Sequence, residues 1–167
     1  MLLLLLRHGD AIELGFEDSG RPLSALGERQ SRIAGRYLKD SGLIPSLIMS
    51  SPLLRAVRTA ALVGEETGVK NIVPTEYLIP GLGEKVLLDE INAHASPSTL
   101  LVGHEPQLRT FLVRLIGESG LQVEMRKGTL VCIDCREPVR RGCGTLRWLL
   151  TNEEMEKQGA SHSRSSG

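Results

Sequence analysis

The five consecutive leucines Leu2-Leu3-Leu4-Leu5-Leu6, closed by Arg7-His8-Gly9, constrain this chain more than any other segment. An apolar run of that length bounded by a glycine fits a strand buried on both faces, which needs helices above and below its sheet. A second run, Leu100-Leu101-Val102-Gly103, ends in His104 in the same manner. Each histidine therefore stands where a strand stops and a loop or helix begins. In open α/β sheets that rim is where ligands bind.

The segments between these strands alternate. After the first strand a polar loop covers residues 13–21, and Ser24 is placed to cap a helix in which Leu26, Ile33, Ala34, Tyr37 and Leu38 recur at helical spacing, with Gly42 as the stop. Leu47-Ile48-Met49 make a short second strand. Ser51-Pro52 then predicts a helix start, with Ser51 as cap and Pro52 as first helical residue, because a missing N–H costs nothing there. That helix runs to Gly68. Ile72-Val73 begin a third extended piece that breaks at Pro80-Gly81-Leu82-Gly83, residues 84–94 form a helix, residues 99–102 the next strand, and Pro106 opens a helix carrying Leu108, Phe111, Leu112, Leu115 and Ile116.

Strands alternating with helices imply βαβ units and a mainly parallel sheet. Residues 129–133 and 145–150, separated by a charged, glycine-containing turn, predict an antiparallel hairpin at one edge. The expected fold is therefore α/β, a three-layer α/β/α arrangement with a mixed, mainly parallel sheet. A single domain is expected over residues 1–152, with a flexible polar tail over 153–167.

Composition narrows the function. Lys+Arg and Asp+Glu both number 20, so the formal net charge is +0 and no global field draws nucleic acid or an anionic membrane. Aromatic content is 3%, too little for stacking on bases. The leucine run is too short to span a bilayer and lacks the flanks of a signal peptide, so the expected location is the cytoplasm. Cys132, Cys135 and Cys143 are an odd set, and a strand turns Cys132 and Cys135 to opposite faces. Packed thiols are expected rather than a metal site, and no cofactor is called for.

Two strand-end histidines beside arginines suit a phosphoryl group, which needs fixed donors around its oxygens and a nucleophile in line with phosphorus. Arg7 beside His8 is one candidate clamp, and Arg55, in the first turn of the second helix, is another. His8 is the candidate nucleophile, since a neutral imidazole can form a covalent phospho-intermediate. His104 is the candidate donor to a phosphoryl oxygen. Gly9 is expected to let backbone approach the ligand, and Arg21 is a candidate substrate contact at the pocket mouth, with a plain surface role as its alternative. Arg58 is expected to be solvated.

Leu6-Arg7-His8-Gly9-Asp10-Ala11 resembles the Arg-His-Gly signature of the histidine phosphatase superfamily, and Asp10-Ala11 narrows the resemblance to its small bacterial SixA-type phosphohistidine phosphatase branch. Three further segments agree in order and approximate spacing: Arg21-Pro22-Leu23-Ser24 with Gly27, Ser51-Pro52 with Arg55-Ala56 and Thr59, and Val102-Gly103-His104-Glu105-Pro106. The resemblance implies a phosphoglycerate-mutase-like fold, transient phosphorylation of His8, and Arg7, Arg55 and His104 holding the phosphoryl group. It also implies release of phosphate by water, without a metal or organic cofactor.

Its partner would be a phosphohistidine-bearing protein of a phosphorelay. Larger relatives carry a proton-donating acid after the third strand; here the candidates are Glu84, Asp18 and Asp10, each with a solvated or capping role as its alternative. A phosphoramidate needs less acid assistance than an ester, because its leaving nitrogen can be protonated before the bond breaks. Two other functions compete with a phosphohistidine phosphatase: a small-molecule phosphomonoester phosphatase, and a non-catalytic phosphoprotein-binding module.

Overall fold

A computed structural model describes residues 1–13, 15, 17–81, 83–117 and 120–162, with the side chains of residues 84 and 160–162 outside that description. Six strands, β1 (Leu2–Arg7), β2 (Leu47–Ser50), β3 (Ile72–Pro74), β4 (Ser98–Gly103), β5 (Leu130–Cys135) and β6 (Gly144–Leu150), form one sheet in the order β3-β2-β4-β1-β5-β6. The first four pair in parallel. β5 and β6 complete the sheet as the antiparallel hairpin expected at an edge, β5 lying against β1.

The helices are α1 (Ala25–Asp40), α2 (Leu54–Thr67), α3 (Glu84–His94), α4 (Gln107–Ile116) and α5 (Asn152–His162). Because side chains alternate along a strand, the leucine run feeds both layers. Leu3 and Leu5 join a core with Leu87 and Ile91 of α3 and Leu108, Phe111 and Leu112 of α4. Leu4 and Leu6 join the opposite core with Ile33 and Leu38 of α1, Ala60 and Val63 of α2, and Met155 of α5. All four of these leucines are fully buried, each worth about 2 kcal/mol relative to exposure. The same alternation sends Cys132 to one core and Cys135 to the other, all three cysteines being free and buried.

Local signals account for several helix ends. Ser24 caps α1 by accepting from the Gly27 N–H at 3.1 Å, and Gly68 ends α2 in the left-handed region at φ 81°. Two expectations are corrected. α2 begins at Leu54 with Leu53 at the cap, so Ser51 and Pro52 precede the helix, and the Ser51 hydroxyl faces a histidine instead. Where a flexible tail is expected from residue 153, α5 packs on α1: Met155 is buried, Asn152 Nδ2 donates to the Gln30 carbonyl at 2.9 Å, and Arg29 pairs with Glu156 at 2.5 Å. One apolar side chain in a polar run gives no periodicity to read, and its burial depends on a partner more than a hundred residues earlier. Residues 163–167 lie outside the described residues. No described helix is long and apolar enough to cross a membrane.

Candidate active site

β1 carries Arg7 and His8 to the C-terminal rim of the parallel strands, and β4, beside it in register, carries His104. The His8 N–H donates to the Gly103 carbonyl at 3.0 Å, which ties the two strand ends together. The imidazoles of His8 and His104 consequently lie with ring centroids 4.9 Å apart and planes tilted by 55°. β2 ends on the other side of β4, where the Ser51 N–H donates to the Val102 carbonyl and the Ser51 hydroxyl lies 2.8 Å from His104 Nε2. The short link 51–53, bent at Pro52 and Leu53, then leads into α2, whose first turn presents Arg55. His8, His104 and Arg55 are all buried, at 6%, 2% and 6% exposure.

A carbonyl only accepts, so the 2.7 Å contact between His8 Nδ1 and the Gly9 carbonyl puts the proton of a neutral His8 on Nδ1 and leaves the Nε2 lone pair free. Burial pushes His8 down to about 4, with the charges of Arg55, Arg7 and Lys127 adding to it and the Gly9 hydrogen bond opposing. His104 is pushed down to about 3, again by burial first and then by His8 and Arg55. Both rings are therefore neutral near pH 7.

Backbone carbonyls hold both arginines, and Arg55 also meets the Asp18 carboxylate. Arg7 Nη1 donates to the Met125 carbonyl at 2.8 Å; Arg55 Nη1 donates to the Asp18 carbonyl and its Nη2 to Asp18 Oδ2, at 2.5 and 3.2 Å. Two polar atoms of the cluster, Arg7 Nε and His104 Nδ1, are buried without a hydrogen-bond partner among the described residues. Buried polar groups of that kind are uncommon, and at a rim of two imidazoles and two guanidinium groups a tetrahedral oxyanion matches them in charge and hydrogen bonding.

The other expected residues are distributed differently. Gly9 answers to packing: a Cβ there would lie 2.4 Å from the Gly27 carbonyl oxygen, and one on Gly27 would lie 1.9 Å from the Asp10 oxygen. Asp10 is held by Lys127 and Ser24. Its carboxylate accepts from Lys127 at 2.7 Å and Ser24 at 2.6 Å, contacts that hold it below the usual carboxylate range and occupy both of its oxygens. Asp18 sits at the pocket, on Arg55; burial acts to raise its carboxyl, but the Arg55 and Arg21 contacts outweigh this and hold it low. Arg21 pins the loop before α1, donating to the Ile12 carbonyl and to Asp18. Arg58 is half-exposed and ties α2 to Glu28 of α1 at 3.0 Å, where full solvation is expected. The Glu84 side chain lies outside the described residues.

Several contributors are given no site role by the sequence. Lys127 is 117 residues from Asp10 and carries no local signal. Ser51 looks like a cap but pairs with His104. Thr59, fully buried, accepts from the Gly9 N–H at 3.2 Å and donates to the Arg55 carbonyl, joining the His8 loop to α2. Glu105 lines a groove with Arg7, and burial raises its carboxyl while the Arg109 N–H hydrogen bond opposes.

The model of the histidine phosphatase superfamily (branch 1) matches residues 3–79, the stretch that carries Arg7, His8 and Arg55. Phosphohistidine phosphatase SixA of Escherichia coli (strain K12) is 27% identical over 159 residues, 90% of this chain and 94% of that protein. Together these matches support the histidine phosphatase superfamily, SixA-type branch, for this chain. Among solved structures of histidine phosphatases, the protein histidine phosphatase SixA complexed with tungstate superposes with a TM-score of 0.81 at 25% identity, covering 91% of this chain and 97% of that one. The putative phosphohistidine phosphatase SixA from Agrobacterium tumefaciens superposes at 0.75 and 25% identity, covering 90% and 97%. The chain is therefore SixA-like along nearly its whole length, and this likeness supports phosphatase hydrolysis as its coarse activity.

Proposed function

We propose that the protein hydrolyses phosphohistidine on a signalling protein through a covalent intermediate on His8. The observation that carries this reading is the His8 ring: neutral, buried, held by the Gly9 carbonyl through Nδ1, and so offering Nε2 beside His104, Arg7 and Arg55. In the first step the Nε2 lone pair forms a bond to phosphorus while the P–N bond of the substrate breaks, its electron pair staying on the leaving imidazole nitrogen, which is protonated. In the second step water attacks phosphorus, the Nε2–P bond breaks with its electrons returning to His8, and inorganic phosphate leaves.

Arg7 and Arg55 would balance the phosphoryl charge in both steps. With the Ser51 oxygen accepting from the Leu53 N–H, its proton is available to His104 Nε2, which leaves the proton of His104 on Nδ1 to donate to a phosphoryl oxygen. The whole-length similarity to SixA supports the phosphohistidine class over sugar phosphates.

The test is a labelled phosphohistidine protein mixed with enzyme. Transient acid-labile label on His8, loss of turnover in His8→Ala, and faster release from phosphohistidine than from aryl or sugar phosphates are expected. Full activity in His8→Ala, or faster ester hydrolysis, would overturn the reading in favour of a different nucleophile or a small-molecule phosphatase. Tight binding with no phosphate release would mean a binding module.

A further inference from the structure

We propose that Lys127, through its pair with Asp10, is a positioning residue that holds the 125–129 segment against Arg7 and His8, an inference that rests on reading His8 as the nucleophile. β1 and β5 pair as far as Leu6 and Leu130, and beyond that point the two chains stay together through a different set of contacts. The Arg7 N–H donates to the Thr129 carbonyl at 3.1 Å, and the Gly128 N–H donates to the carbonyls of Arg7 and His8 at 3.1 and 3.3 Å. Met125 supplies the carbonyl that the Arg7 guanidinium meets at 2.8 Å. One short segment thus meets both the main chain and the guanidinium of the dipeptide that carries the chemistry.

That segment has little regular structure of its own. Residues 121–126 are neither helix nor strand, and residues 127–128 form a turn closed by the Thr129 N–H on the Arg126 carbonyl at 2.9 Å. The Lys127 ammonium ties it down, donating to Asp10 Oδ1 at 2.7 Å. Asp10 is a fixed point, because Ser24 and the first turns of α1 engage its other polar atoms. Its N–H donates to Gln30 Oε1 at 2.8 Å, its carbonyl accepts from the Ser24 N–H at 3.0 Å, and its Oδ2 accepts from the Ser24 hydroxyl at 2.6 Å. The ion pair consequently joins the segment that holds Arg7 to a residue just beyond His8 that α1 keeps in place. Both side chains are 30% exposed, so solvent screens part of the charge, and the effect on activity is expected to exceed the effect on stability.

The same ammonium belongs to the positive surroundings of His8. The charges that act on the ring are Arg55 of α2, Arg7 of β1 and Lys127, with His104 of β4 beside it and Asp18 facing Arg55. Removing Lys127 takes away one of those cations and leaves the Asp10 carboxylate without its counter-charge. Both changes favour protonation of His8, which would withdraw the Nε2 lone pair from the reaction at a higher pH than in the native protein.

Steady-state turnover of a phosphohistidine peptide by Lys127→Met, Asp10→Asn, the double variant and Lys127→Arg tests this. Lys127→Met and Asp10→Asn are each expected to lower kcat/KM by about tenfold, as for a small misplacement of the reacting groups. The double variant should be no worse than either, because the two residues act as one unit. Lys127→Arg, which keeps a charge-assisted contact, should stay within about threefold of the native enzyme. The acid limb of the Lys127→Met profile should move up from about pH 4, a shift that a simple loss of folded protein does not produce.

Native kcat/KM in Lys127→Met, losses that multiply in the double variant, or an acid limb that stays in place would overturn the proposal. If Lys127→Met folds poorly, native activity in Asp10→Asn would overturn it equally. His8→Ala, run beside these variants, separates the two readings. An inactive His8→Ala with a fully active Lys127→Met removes this proposal alone, whereas a fully active His8→Ala removes the catalytic reading and this proposal with it.

Discussion

His8 and His104 lie 4.9 Å apart between ring centroids, each anchored by an uncharged partner, the Gly9 carbonyl for one and the Ser51 hydroxyl for the other. Neither anchor compensates for burial, which is why both rings stay neutral. Their values, about 4 and about 3, lie below the ordinary 6.5, so between those limits the unfolded chain takes up protons that the native protein does not. The stability these groups contribute is complete above pH 6.5 and is lost as pH falls toward about 4 for His8 and about 3 for His104. The melting temperature should therefore decline across that window, and His104→Gln should flatten the decline. The acid limb of kcat/KM should fall near pH 4; a midpoint near 6.5 would contradict the buried neutral state.

Asp18 and a phosphoryl group would compete for Arg55. The Asp18 side chain is 67% exposed and Arg55 only 7%, so the pair is screened on one side and worth less than about 1 kcal/mol. Asp18→Asn is expected to strengthen binding of tungstate, a probe of the phosphoryl position, by about threefold to fivefold in a competition assay. Weaker binding would mean that Asp18 serves to position Arg55.

Gly27 holds the His8 loop by having no side chain. A Cβ there would collide with the Asp10 carbonyl at 1.9 Å, a backbone atom tied to the Ser24 N–H. Gly27→Ala should cost about 3 kcal/mol or more and remove activity, read by denaturant unfolding and phosphate release. Gly20→Ala, where a Cβ meets nothing within 4 Å, is the control expected to be near neutral.

α5 buries one apolar side chain, Met155, in the core it shares with α1. Met155→Ala should destabilise by about 2–3 kcal/mol, because it empties a site 1% exposed in the core shared with α1. Truncation after Thr151 should cost at least as much, since it also removes the Asn152 contact to Gln30. A melting temperature unchanged by truncation would restore the flexible tail.

The two apolar runs and their closing histidines were legible because a buried strand writes its character into consecutive residues. Gly68 and Ser24 were legible because a helix end is decided within three or four positions. Ser51 was misread as a cap because its better partner, His104, is 53 residues away, and Asp10 was a candidate acid until Lys127 and Ser24 took both its oxygens.

From its own order the chain determined which groups stand at the rim, since periodicity and turn chemistry act between near neighbours. Only the tertiary structure decided their use: which imidazole nitrogen stays free, which carboxylate meets Arg55, and that the last helix packs at all. Those outcomes depend on distances between residues remote in sequence, and these are set when the sheet assembles.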